Sequence, residues 1–359
     1  MDIHGGKGIC LGPNNWVGRG YQVTPVAITV EGANILTRTL IIFGQGAIRA
    51  HPYVLREMRA AKEMAGAEAA REFDDAFTSH IGHVISNGVR TFVFGLVPSI
   101  APVPQGASRD TLHYYRNLQR LSAAFAFLAD ISMMAMGGAL KRKEKISGRL
   151  GDILSMMYLA SATLKHFEDQ GRIREDLALV RWSVRDALYN AQRAFDQILS
   201  NFPSKTLATL LRIAIFPRGK PFRPPLDSRN RECAQIALTP GAARDRLTAG
   251  MYVPRGDDAT GRLEQAFAAA IACEPIDEKI RKAVKKGKVA LQPGADVGLV
   301  CKEKNIISGD EYAQWSKKEA LRKSVIKVDD FPQDFGRSEL VEKAADKAET
   351  KAFASARAA

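Results

Sequence analysis

At 359 residues the chain is long enough for two domains with a sizeable core. Its 46% hydrophobic and 25% charged content is that of an ordinary folded protein, which excludes disordered and fibrous classes. The net charge of +13 favours anionic partners. Nucleic acid is excluded as the expected one, because the aromatic platforms or reading helix that such modules add are not found. Cys10, Cys233, Cys273 and Cys301 form no Cys-x-x-Cys pair, which argues against a disulfide framework and a thiolate zinc site and fits a reducing cytoplasm. The first residues lack the basic start and apolar core of a signal peptide.

Residues 1–22 hold six glycines, Pro13 and Asn14-Asn15, and read as a turn-rich loop. From Val23 to Arg49 the chain is apolar and helix-compatible, with Pro25 tolerable in a first turn; His51-Pro52 breaks the run. Tyr53 to Arg90 reads as helix interrupted near Gly66. Thr91 to Gln105, with three prolines, ends it in a loop.

Three long helices follow. Tyr114, Leu118, Leu121, Phe125, Leu128, Ser132 and Ala135 fall on one stripe of the first. Ile146, Leu150, Ile153, Met157, Ala160, Leu164 and Phe167 do so on the second, and Leu177, Val180, Val184, Ala187, Ala191, Ala194 and Ile198 on the third. Steps alternating between three and four residues place each set on one helix face. Short polar connectors at 141–145 and 169–172 favour antiparallel neighbours. With a fourth helix around Phe73 to Val89, the expected fold is all-α, an up-and-down helix bundle with additional C-terminal helices. Leu121 to Leu140 comes closest to a membrane span in length, but Asp130 at its centre makes a buried bundle helix the better reading.

Beyond Asn201 a short apolar helix, Ser204 to Phe216, precedes a proline-rich extended loop. Helical patches resume at 227–238, 241–248, 261–272, 276–284 and 308–322. The tail is rich in Ala, Lys and Glu and reads as frayed or disordered. The expected divisions are 1–50, 51–202, 203–337 and 338–359.

Gly5-Gly6-Lys7-Gly8 fails as a nucleotide-triphosphatase loop, since Gly8 stands where Ser or Thr is needed. It fails as a dinucleotide fingerprint, since no strand precedes it. His80 and His83 form a helical i, i+3 pair with Asp74 and Asp75 one to two turns away; structural histidines are the expectation, and no metal.

His4-Gly5-Gly6-Lys7-Gly8 through Val30-Glu31-Gly32-Ala33-Asn34 resembles the acyl-CoA dehydrogenase pattern of Gly-Gly-x-Gly-Tyr or Phe followed, about two dozen residues on, by Glu-Gly-Thr-Ser. The remainder, including Thr239-Pro240-Gly241, Arg244-Asp245-Arg246-Leu247, Leu263-Glu264-Gln265-Ala266 and Val328-Asp329-Asp330-Phe331, is similar to the long C-terminal region of bacterial fatty-acid-oxidising members. The likeness thus covers essentially the whole chain.

The resemblance implies that Glu31 takes the α-proton of an acyl-CoA thioester while the β-hydrogen leaves as hydride to FAD. A carboxylate base needs a dry, apolar site to raise its pKa for such a weak acid. By the same likeness the Glu31 N–H stabilises the thioester oxygen, Gly32 lies at the substrate, Gly5 and Gly6 meet the FAD of a neighbouring subunit, and Ala33 and Asn34 stand beside the cofactor. Asp2 and Ala33 depart from the usual glutamine and threonine. An electron-transfer flavoprotein or similar acceptor, and a homo-oligomer or a complementing N-terminal half, are the implied partners.

Family members carry an N-terminal helical domain and a middle β-barrel ahead of this point. The chain is therefore expected to be a C-terminal piece that lacks both and is inactive alone, in the cytoplasm or peripheral at the inner membrane. The alternative is a helical module for a membrane surface or partner. In it Leu207, Leu210, Leu211, Ile213 and Phe216 lie in a lipid interface, with Arg218, Lys220 and Arg223 reaching phosphates. The competing reading packs that face on the bundle.

Overall fold

The computed structural model describes residues 2–10, 12, 15–30, 36–252, 254, 256, 258–290 and 294–329. It is all-α: among the described residues every regular element is helical and none is a strand. The chain divides into two compact units, residues 27–249 and residues 1–26 with 250–359.

The helix α1 (Gly18–Val30) starts earlier than expected and holds Pro25 in its interior. In the unit 27–249, a wide π-helical segment (Thr37–Gln45) and α2 (Gly46–Ala50) lead to α3 (Val54–Glu63) and the long α4 (Gly66–Leu96). The bundle continues with α5 (Leu112–Met136), α6 (Glu144–Asp169) and α7 (Leu177–Ser200), then α8 (Lys205–Ile215), α9 (Asp227–Leu238) and α10 (Ala242–Leu247). Every stripe residue predicted on α6 and α7 is buried, and together they form most of one core with Leu121, Leu128, Phe195 and Phe202. On α5 the stripe holds to Ser132, and Ala135 is exposed. Leu112–Arg142 is long and apolar enough to cross a membrane by composition, and its central leucines lie in this core.

The π segment docks on α6 where α6 carries Gly148 and Gly151. A Cβ at Gly151 would stand 2.8 Å from the Arg38 carbonyl oxygen, so only glycine admits the approach. Arg38 Nε pairs with Asp152 at 3.1 Å, and Phe43 from the segment enters the core at 2% exposure.

The proline-rich stretch after α8 is held by side chains rather than by its own hydrogen bonds. Buried Gln192 on α7 donates to the Phe222 carbonyl and accepts the Phe222 N–H, both at 2.9 Å. Arg120 donates to the Ile215 carbonyl at 3.1 Å and lies over the Phe222 ring. Burial pushes the Arg120 guanidinium below its usual pKa, with nearby Arg218 acting the same way.

In the other unit a short 3-10 segment (Asp2–Gly8) occupies part of the expected N-terminal loop, and Lys7 Nζ donates to the Val325 carbonyl at 2.7 Å. Helices α11 (Ala259–Ala272), α12 (Glu274–Lys285), α13 (Val297–Glu303) and α14 (Gly309–Ile326) bury Cys273, Ile276, Ile280, Cys301 and Trp315. Asp277 accepts from Trp315 Nε1 at 2.9 Å and from Lys318 Nζ at 2.8 Å. Burial disfavours the Lys318 ammonium, but its bonds to Asp277 and Glu319 outweigh that and raise its pKa. Ser308 and Glu311 close a capping box at the start of α14.

Three helices differ from expectation. Helix α4 runs on to Leu96 instead of stopping near Arg90, because no proline occurs before Pro98. Helix α13 was not expected; Asp296 caps it, its side chain accepting from the Leu299 N–H at 3.0 Å. Pro25 is an inside-helix proline rather than a first-turn one, since Tyr21 already donates to the Val17 carbonyl upstream.

Candidate functional site

Glu31, Gly32, Ala33 and Asn34 lie outside the described residues. Gly5 and Gly6 are described. Both are exposed, and Gly5 adopts φ 58°, ψ −136°, the backbone region that favours glycine. A Cβ at Gly5 would meet nothing, and at Gly6 only Val328 at 4.0 Å. These glycines form an open turn at the surface among the described residues.

In the unit 27–249 a polar constellation lies at the meeting of α2, α3, α4 and α5. His51 ends α2 in extended backbone (φ −69°, ψ 132°), the conformation that a following proline imposes. Its Nδ1 accepts the N–H groups of Tyr53 and Val54 at 3.2 and 3.1 Å, which caps α3. Its Nε2 lies 2.9 Å from Asp130 Oδ1 on α5. The Asp130 side chain is 3% exposed, and neither of its oxygens accepts a hydrogen bond.

His80 and His83 face the same place from α4, as their i, i+3 spacing dictates. His80 Nδ1 meets Glu57 Oε1 at 2.7 Å, and its Nε2 stands 3.8 Å from Asp130 Oδ1. The His51 and His80 ring centroids are 4.6 Å apart, and Tyr53 stacks on His80. His83 Nε2 contacts the Asn87 amide nitrogen at 2.9 Å. Burial is the main cause that lowers the His83 pKa, opposed by Asp130 and helped by His51 and His80. Close by, Phe43, Ala47, Val54, Met58, Met133 and Leu140 line much of an apolar cleft of about 310 Å³.

The carboxylates beside this histidine pair are therefore Glu57 and Asp130. Asp75, which the spacing suggested, instead binds Arg56 at 2.8 Å. The signal for Asp130 was its isolation in an apolar helix. No local spacing announces His51 and Glu57, because the four elements that carry the group are brought together only by the fold.

The family model described as acyl-CoA dehydrogenase, C-terminal, bacterial type matches residues 48–331. No solved structure matches the chain.

Proposed function

Because the chain belongs to the bacterial-type acyl-CoA dehydrogenase C-terminal family, we propose that it supplies the C-terminal helical part of an FAD-dependent dehydrogenase acting on acyl-CoA thioesters in fatty-acid β-oxidation. The observation that carries this reading is the family match across most of the chain, and membership implies a flavin in general. The match begins at residue 48, directly after the stretch that resembles the end of the catalytic domain, which supports 1–50 as catalytic and the following residues as extension.

In this reading Glu31 removes the α-proton and its N–H steadies the thioester oxygen as charge develops there. Gly5 and Gly6 meet the cofactor of a neighbouring subunit, which accords with an exposed turn rather than an enclosed pocket. Residues beyond this chain complete the flavin site, and an electron-transfer flavoprotein or similar acceptor takes the electrons. The test is acyl-CoA-dependent dye reduction by the purified chain with FAD, alone and mixed with a polypeptide that supplies the family's N-terminal and β-barrel domains. Turnover only in the mixture is expected. Robust turnover by the chain alone, or none in a mixture that forms a stable complex, overturns the reading.

A second reading, a membrane-surface or partner-binding module, has its own observation. Phe73, Phe77, Ile81, Ile85, Val89, Phe92 and Leu96 are all exposed along one stripe of α4, about 35 Å long at the helical rise. The apolar face at α8 is divided: Leu211 and Phe216 are in the core, whereas Leu210 and Ile213 are 59% and 55% exposed. Flotation with anionic vesicles at low salt tests this reading. Binding that Ile85→Asp abolishes supports it, and failure of the parent chain to float removes the membrane arm.

A further inference from the structure

We propose that His51, His83 and Asp130 bind one divalent transition-metal ion of the zinc class, with His80 as an additional nitrogen donor at the edge of the site. Ligand atoms of the first three all lie within 4.8 Å of one another. A zinc ion about 2.0–2.2 Å from each nitrogen and oxygen donor can gather such a set after small side-chain adjustments. The residues come from α4, α5 and the end of α2, so packed helices already hold the donors in place before any ion arrives.

Independent support comes from what the buried atoms lack. Asp130 is all but inaccessible, yet both its oxygens are without a hydrogen bond, and so is the buried His51 Nε2. Oδ1 and Nε2 are 2.9 Å apart, an ion-pair distance without hydrogen-bond alignment. A buried carboxylate with no donor aimed at it is costly, and a cation between these atoms supplies what both require.

The surroundings have the form of an outer coordination layer. The Glu57 carboxylate at His80 Nδ1 holds the ring proton there and leaves Nε2, the nitrogen nearer Asp130, as a lone-pair donor. His83 Nε2 meets the Asn87 side-chain amide; with the amide oxygen turned to the ring, Nε2 keeps the ring hydrogen and Nδ1 is left as the lone-pair donor. The His80 side chain is 18% exposed, which gives an ion a way in. The donors are imidazole and carboxylate with no thiolate, a set that suits zinc, cobalt or nickel better than magnesium or calcium.

One proton must move. In the metal-free protein the Tyr53 and Val54 N–H groups point at His51 Nδ1, so the neutral ring carries its hydrogen on Nε2. Coordination through Nε2 transfers that hydrogen to Nδ1, and the two amides at the start of α3 lose their acceptor. Metal binding is thereby coupled to the cap of α3.

The test uses the tag-free full chain stripped with a chelator, titrated with Co²⁺ followed by its visible ligand-field absorption, with Zn²⁺ by calorimetry, and with Mg²⁺ as control. One Co²⁺ or Zn²⁺ per chain is expected, with no response to Mg²⁺. Asp130→Asn and His83→Gln each weaken binding by about tenfold or more, and Glu57→Gln by about tenfold. On Zn²⁺ addition the Tyr53 and Val54 amide resonances shift while those of α7 stay put. If Asp130→Asn unfolds, the His83→Gln affinity and the amide shifts in the parent chain decide. Absence of stoichiometric binding, or binding unchanged in folded His83→Gln with Tyr53 and Val54 unmoved, overturns the proposal.

Discussion

The same substitution, glycine to alanine, is predicted to act in opposite directions at two helical positions. Gly82 is exposed on α4 and a Cβ there meets nothing within 4 Å. Gly82→Ala therefore gains only backbone conformational restriction and is stabilising by up to ~1 kcal/mol. Gly151 is buried on α6, and its added methyl would stand 2.8 Å from the Arg38 carbonyl oxygen, a backbone atom that cannot swing away. Overpacking of that kind costs ~1–3 kcal/mol. Set against the same propensity gain, Gly151→Ala is destabilising by up to ~2 kcal/mol, and the two variants differ by the overpacking cost itself, ~1–3 kcal/mol.

The damage should be local as well as global. The segment Thr37–Gln45 must lift from α6, taking Phe43 and Thr39 out of burial. Urea unfolding followed by helix circular dichroism gives the two stabilities, and hydrogen exchange on peptides from 36–50 locates the loosening. If Gly151→Ala stabilises as much as Gly82→Ala and exchange in 36–50 is unchanged, the close docking of the π segment is refuted. Because that segment begins six residues after Glu31, its displacement in Gly151→Ala is also expected to lower turnover in the reconstituted enzyme.

Gln192→Leu leaves the Phe222 N–H and C=O without their partners and is predicted to cost ~2–4 kcal/mol; faster tryptic cleavage after Arg218 accompanies it, and an unchanged cleavage rate counts against the pinning role. Burial opposes the Asp196 charge, but bonds from Arg212 and Lys220 outweigh that and hold its pKa below the usual 3.8. With the folded value depressed, its contribution is present above the unfolded pKa and is lost as pH falls through the folded one. Asp196→Asn should therefore be less stable than the parent at pH 7 by ~1 kcal/mol, with the two denaturation curves converging below pH ~3.8; a gap that persists in acid contradicts this.

Most of the bundle was legible because burial on α6 and α7 repeats at the helical period: the side chains from Ile146 to Phe167 and from Leu177 to Ile198 that the spacing selects are the buried ones. Helix α4 shows the limit of that reasoning. Its strongest apolar stripe, from Phe73 to Leu96, faces outward, while small and polar residues such as Ala76, Asn87 and Thr91 are inside. Periodicity identifies a face but not what covers it.

The proline-rich segment after α8 was readable as extended, but its anchor Gln192 lies on a different helix and carries no local signal. The same holds for the histidine cluster. The His80–His83 spacing was visible, yet its carboxylates, Glu57 and Asp130, lie 23 and 50 or so residues away in sequence and arrive only through packing. Glu31 and its glycine were legible through family resemblance alone, since one carboxylate on an apolar background has no chemistry of its own until a site surrounds it.

The most direct test of the account is α-proton exchange at Glu31. The chain, combined with the family's N-terminal helical and β-barrel domains and FAD, is incubated with an acyl-CoA in deuterated water, and deuterium at the α-carbon is followed by mass spectrometry. Glu31→Gln should fold and assemble like the parent chain but lose α-exchange and dye reduction together by about 10²–10⁴-fold, the range of a general base. Exchange at the parent rate in a fully assembled Glu31→Gln complex would contradict the assignment of Glu31 as the base.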